Sequence, residues 1–203
     1  RERTYFPQLC LMQVGTSTVA AAIDPLAEGI DFTPLYQAFA NEKLVKVFHA
    51  AKQDIEIFVR ASGHVPTPLY DTQIAAMVCG FGDQVGYEAL VAKLADAKLD
   101  KTQRFTDWSR RPLTERQVKY ALSDVTHLRK AYTTLQKRLE RTGRSAWLSE
   151  EMAILTTEKT YRIEPREAWR RIKARTRSGR MLAGWSGRTV VCRAARRAVA
   201  GSG

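Results

Sequence analysis

From residue 118 to residue 139 the apolar positions fall on a single line. Val118, Leu122, Val125, Leu128, Tyr132, Leu135 and Leu139 recur at spacings of three and four. That is the period of an α-helix with one buried stripe. Thr114 followed by Gln117 is a capping-box start, and Gly143 is a stop. The rest of the chain has to supply the surface that this stripe covers.

The residues before it do so by alternation. Segments 9–14 and 18–23 read as short strands around Gly15-Thr16-Ser17, and Asp24-Pro25 closes the second because proline cannot donate to the ladder. A helix is expected over 32–40, a strand over 44–48 interrupted only by Lys46, and a helix over 51–62 with Ile55, Phe58 and Val59 on one side. Segment 63–68 reads as a loop, Asp71 as the N-cap of a helix over 72–79, and 86–99 as another helix. Strands alternating with helices argue an α/β fold rather than a bundle. Beyond the long helix, 146–159 reads as helix, 161–165 as linker and 166–177 as a basic helix. No internal repeat is evident, and 203 residues suffice for one full domain with a small appendage.

Charge divides the chain unevenly. Residues 162–203 carry a net +10, whereas residues 1–161 carry only +2 of the total +12. A basic tail on a nearly neutral domain is the electrostatic footprint of RNA or DNA, or else a solvated charged segment. From Gly179 onward the sequence is rich in Arg, Ala, Gly and Val and loses helical patterning, so it reads either as a basic arm or as an aberrant, disordered end. The apolar runs fall far short of the roughly 20 residues of a membrane span, and no secretory leader pattern is visible. Cys10, Cys79 and Cys192 are widely spread and form no C-x-x-C pair, as expected of free thiols in a cytoplasmic protein.

Two stretches carry candidate chemistry. Tyr120 and Asp124 are four residues apart on the long helix and share a face, with His127 near the same line. A helix-borne carboxylate beside a tyrosine hydroxyl can hold a divalent cation while the hydroxyl orients water. The plain alternative is an exposed aspartate beside a half-buried tyrosine. In Phe48-His49-Ala50-Ala51-Lys52-Gln53-Asp54, an apolar strand runs through a turn into a helix whose first turn holds Asp54. Strand ends and early helix positions are favoured places for metal-binding carboxylates in α/β sheets. Asp54 could equally complement the helix dipole, and His49 could be an ordinary strand-end residue.

Taken together with the opening Arg1-Glu2-Arg3-Thr4-Tyr5-Phe6-Pro7-Gln8-Leu9-Cys10-Leu11, these stretches resemble ribonuclease D, of the DEDD superfamily of 3′–5′ exonucleases. Tyr70-Asp71-Thr72-Gln73, Asp107-Trp108-Ser109-Arg110-Arg111-Pro112-Leu113 and Pro165-Arg166-Glu167-Ala168-Trp169 extend the likeness over about four fifths of the chain. The resemblance implies a ribonuclease H-like α/β fold, with a mixed sheet flanked by helices and a basic helical extension resembling the start of an HRDC module. It implies an exonuclease domain over 1–143, a helix and linker over 144–165, and the basic extension over 166–203.

The same resemblance implies that Asp54 and Asp124 hold two divalent ions, Mg²⁺ or Mn²⁺. Tyr120, the residue of the tyrosine branch, would position the attacking water. No small-molecule cofactor and no membrane are implied. The substrate would be RNA 3′ ends, tRNA precursors among them, with His49, Lys52, Arg166, Arg170, Arg171 and Lys173 as nucleic-acid contacts. The family's first motif, Asp-x-Glu, lies upstream of the segment that begins here at Arg1, so weak metal binding and little activity are expected of the chain as written. The rival expectations are an inactive RNA-binding module and a DNA-directed exonuclease of the same superfamily.

Overall fold

The computed structural model describes residues 9–161 apart from 98, 100, 104 and 105. The chain divides into two units. One is Leu9–Thr157; the other comprises the remaining residues, of which Glu158–Tyr161 are described. That short piece is a 3₁₀ turn, Glu158–Thr160, closed by the Tyr161 N–H on the Glu158 carbonyl at 2.9 Å. The basic helix expected over 166–177, the HRDC-like likeness and Cys192 lie outside the described residues.

The larger unit is a mixed α/β structure. Strands β1 (Met12–Gly15) and β2 (Ala20–Ile23) pair antiparallel, with Met12 opposite Ile23. The connecting turn is tied by Thr16, whose hydroxyl accepts the Val19 N–H at 3.1 Å. Helix α1 (Thr33–Ala40) precedes strand β3 (Lys46–Phe48), helix α2 (Lys52–Ser62) and strand β4 (Leu69–Asp71). Strands β3 and β4 pair parallel, Lys46 with Leu69 through Phe48 with Asp71. Helices α3 (Thr72–Val78), α4 (Tyr87–Leu94), α5 (Glu115–Thr142) and α6 (Ser145–Leu155) complete the unit.

Helix α5 organises the rest. Its start is the capping box expected from Thr114 and Gln117, and its end is Gly143 at φ 67°, a left-handed conformation that glycine adopts without side-chain strain. At 28 residues it runs about 40 Å, long enough to lie across β1, β2, β3, α3 and α4. The face that is fully buried differs from the expected stripe. Gln117, Ala121, Ala131, Leu135 and Leu139 are buried, whereas Val118, Leu122, Val125, Leu128 and Tyr132 are half-buried. Leu135 and Leu139 of the expected stripe are among the buried residues, and the two alanines and Gln117 join them. Close approach involves Gly15 on β1: a Cβ there would stand 3.1 Å from Val125 Cβ.

Helix α1 docks through aromatic rings. Phe39 stacks on Phe58 of α2 at 4.5 Å between centroids, and Tyr36 meets Phe58 edge-on at 5.6 Å. Lys46, the interruption in the apolar strand, is 5% exposed. Its ammonium donates to the Asn41 carbonyl at 2.6 Å and to the Thr67 carbonyl, so the buried charge is hydrogen-bonded. Helix α6 packs on α3 and β4 and lies in the same unit as α5, across the boundary that the sequence reading sets at residue 143. Helix α4 stops at Leu94, short of the expected residue 99, and Asp96 follows at φ 48°. Among the described residues no helix is long and apolar enough to cross a membrane.

Candidate active site

Strand β3 delivers the chain to a sharp turn at its end. Ala50 there has φ 55°, a left-handed conformation that costs an alanine energy and needs support. The support comes from Asp71, at the end of β4 and only 2% exposed. One carboxylate oxygen, Oδ1, accepts the Ala50 N–H at 3.0 Å and the Gln73 N–H at 2.8 Å. The other, Oδ2, accepts the Ala51 N–H at 2.8 Å. Asp71 therefore caps α3, as the sequence suggested, and also holds the entry to α2, whose own N-cap residue Ala51 has no capping side chain. Asp54 follows in the first exposed turn of α2, with exposed Lys52 two residues before it.

His49 faces inward from the same turn. The Thr72 hydroxyl gives its proton to the Phe48 carbonyl at 2.9 Å, so at 3.0 Å His49 Nδ1 is the donor to that hydroxyl. The ring packs against Tyr87 at 5.3 Å between centroids. Burial pulls the His49 pKa below the ordinary value, against the opposing effects of the Asp71 charge and the Val85 backbone. The imidazole is therefore neutral at pH 7.

The second half of the site is on α5. Asp124 is half-buried, and among the described residues no donor reaches its buried Oδ1. Burial alone raises its pKa from 3.8 to about 6. The Tyr87 hydroxyl donates to the Asp124 backbone carbonyl and so ties α4 to the turn that presents the carboxylate. Burial holds the Tyr87 phenol well above its ordinary pKa, with the nearby Asp124 and Tyr120 charges adding to the effect. Tyr120 lies one helical turn before Asp124, half-buried, its ring 6.0 Å from that of Trp108. His127, near the same line, has a buried Nδ1 with no partner among the described residues, and burial lowers its pKa.

The structure thus gathers His49, Tyr87, Tyr120 and Asp124, and places Asp54 on the helix entered from β3, a strand on which α5 packs. Arg166, Arg170, Arg171 and Lys173 lie outside the described residues. Sequence reasoning missed Tyr87, which carries no local signal, and saw only half of what Asp71 does. A cap on its own helix is legible from spacing, but a cap on a helix twenty residues earlier is not.

No group of three or more His, Cys, Asp or Glu side chains suited to a metal ion occurs among the described residues. The Asp124 carboxylate, like that of the exposed Asp54, is a hard oxygen ligand of the kind Mg²⁺ and Mn²⁺ prefer. Asp124 Oδ1, which no donor reaches among the described residues, is the sort of buried atom that a cation would satisfy, so Asp124 fits a divalent ion.

Comparison with known proteins defines the class. The sequence profile described as 3′–5′ exonuclease matches residues 1–140, a span that takes in Asp54, Tyr120 and Asp124. The chain belongs to the 3′–5′ exonuclease family. It is 60% identical over 187 residues to ribonuclease D of Jannaschia sp. (strain CCS1), covering 90% of this chain and 48% of that relative. The crystal structure of Escherichia coli RNase D, described as an exoribonuclease involved in structured RNA processing, superposes with a TM-score of 0.78 at 36% identity over 84% of this chain and 45% of that one. Within the family, the chain falls in the ribonuclease D group. Brucella melitensis NrnC with bound Mg²⁺ is similar at a TM-score of 0.68 and 25% identity, covering 84% of this chain and 83% of that one. The chain spans about half the length of the curated relatives it matches.

Proposed function

We propose that this chain forms the catalytic part of a metal-dependent 3′–5′ exoribonuclease that removes nucleotides one at a time from RNA 3′ ends, tRNA precursors among them, in the cytoplasm. The observation that carries the reading is the Asp124 carboxylate: desolvated, with no donor on Oδ1 among the described residues, and one helical turn from Tyr120. Burying the charged form of such a group costs free energy that a bound cation would offset. Two divalent ions, Mg²⁺ or Mn²⁺, held by Asp54 and Asp124, would activate a water and take up charge on the departing 3′ oxygen.

The chain's own residues then divide the remaining work. Tyr120 orients the attacking water through its hydroxyl. The water oxygen bonds to phosphorus as the bond to the 3′ oxygen breaks, and that oxygen leaves with a proton. Lys52, exposed beside Asp54, is a phosphate contact, whereas neutral His49 offers a hydrogen bond but no charge. Arg166, Arg170, Arg171 and Lys173 extend the RNA contact along the basic segment.

The test is digestion of 5′-labelled single-stranded RNA by the full-length protein that carries this chain, in Mn²⁺. A ladder shortening by one nucleotide at a time from the 3′ end is expected, and Asp124→Asn should abolish it. Parental turnover in Asp124→Asn overturns the reading. A ladder on DNA but not on RNA moves the substrate class to DNA, and RNA that is bound but never shortened identifies a binding module.

A further inference from the structure

The geometry points to Asp71 as a positioning residue for Asp54: its buried carboxylate sets the turn from which the metal-binding aspartate is presented. The inference rests on the proposed role of Asp54. Three backbone N–H groups, those of Ala50, Ala51 and Gln73, converge on the two oxygens of Asp71. The side chain is 2% exposed and its oxygens are committed to those donors, so it acts on the metal site through the backbone and not as a ligand. Ala50 sits at φ 55° and is exposed, so its own side chain makes no packing contact that would hold it in that conformation. The Asp71 carboxylate binds its backbone directly, and Asp54 follows three residues after Ala51 on the helix so entered.

The division of bonds between the two oxygens makes the role separable from simple capping. Oδ1 serves Ala50 and the α3 cap at Gln73, whereas Oδ2 serves Ala51 alone. An asparagine that keeps its oxygen at the Oδ1 position retains the α3 cap and turns an NH₂ group against the Ala51 N–H. Asp71→Asn thus loosens the entry to α2 while leaving α3 supported. Outer groups that orient metal ligands change metal affinity by about 10–100-fold when removed.

The experiment is an NMR titration of the 203-residue chain with Mn²⁺, following paramagnetic broadening of the Asp54 and Asp124 amide resonances. In Asp71→Asn, half-broadening at Asp54 should need about tenfold more Mn²⁺, and the Ala51 amide should exchange faster with solvent. Adding Ala50→Gly to that variant should recover part of the affinity, because glycine adopts φ 55° without the carboxylate's help. If Asp71→Asn does not fold, Ala50→Val tests the same turn from the solvent side, and its affinity should fall likewise.

Parental Mn²⁺ affinity in Asp71→Asn or Ala50→Val, with Asp54→Asn weakened, overturns the inference and leaves the proposed function standing. A loss that Ala50→Gly does not restore at all also overturns it, since general loosening would then be the cause. Parental broadening in Asp54→Asn, or none at Asp54 in the unsubstituted chain, removes the metal role of Asp54 and the inference with it.

Discussion

The metal-binding role proposed for Asp124 sets stability against chemistry in one side chain. Its folded pKa of about 6 lies above the ordinary 3.8, so folding favours the protonated form. This contribution is fully present below pH 4 and is lost as pH rises through 6. The metal-free protein should therefore lose stability across that window, by about 1–2 kcal/mol once solvent screening of a half-buried group is allowed for. Asp124→Asn removes the loss: in a chelator at pH 7.5 it should melt higher than the parent, and at pH 4 the two should coincide. Thermal melts at both pH values check this, and a variant melting no higher at pH 7.5 would mean the carboxylate is not desolvated. Tyr120→Phe makes a different demand, because only the hydroxyl is removed. Hydrolysis should slow by about 10–100-fold while RNA affinity stays unchanged, since orienting a water acts on the reaction step and not on the bound substrate. Single-turnover rates beside equilibrium binding separate the two, and a parental rate would leave the hydroxyl without a role.

At the scale of elements, the fold depends on how closely β1 lies against α5. Gly15 makes room for Val125, and a Cβ there would meet Val125 Cβ at 3.1 Å and Cγ2 at 3.2 Å. Gly15→Ala should therefore destabilise by about 1 kcal/mol in urea unfolding, and Val125→Ala should relieve only part of it because the Cβ remains. A neutral Gly15→Ala would show that the strand moves away at no cost. This contact also marks the limit of what the sequence discloses. The start and end of α5 are legible because a capping box and a terminal glycine act within a few residues. Strand β4 is not: three residues after a proline loop become a strand only by pairing with β3, some twenty positions earlier. The buried face of α5 is only partly legible for a related reason, since apolar spacing picks out Leu135 and Leu139 but not the fully buried Ala121 and Ala131. At the site, the Tyr120–Asp124 pair is visible as spacing on one helix. The burial of Asp124 and the support of the Asp54 turn by Asp71 arise from elements distant in sequence.

For the whole molecule, the uneven charge bears on how the proposed RNA substrate would be held. The net +10 of residues 162–203 dwarfs the +2 of residues 1–161, so any long-range attraction for a phosphate chain comes from that end of the sequence. Within it, Arg166, Arg170, Lys173 and Arg177 recur at the spacing of one helix face, whereas Arg188, Arg193, Arg196 and Arg197 follow no such period. Charges aligned on one face can each meet a phosphate, and each phosphate so neutralised releases counterions. Removing one such charge should then flatten the log–log dependence of affinity on salt by roughly 0.7 for a single strand. Unaligned charges act as a diffuse cloud that raises encounter without fixed pairing, and their removal should leave the slope nearly unchanged. If segment 166–177 forms the helix its spacing predicts, replacing Arg166, Arg170, Lys173 and Arg177 by glutamine should flatten the slope by about two to three, whereas deleting residues 186–203 should cost only a modest uniform loss of affinity. Filter-binding titrations from low to moderate salt, run on both variants, read this directly. A greater flattening per charge from the deletion would reverse the assignment and make the terminal arginines the principal RNA-binding groups.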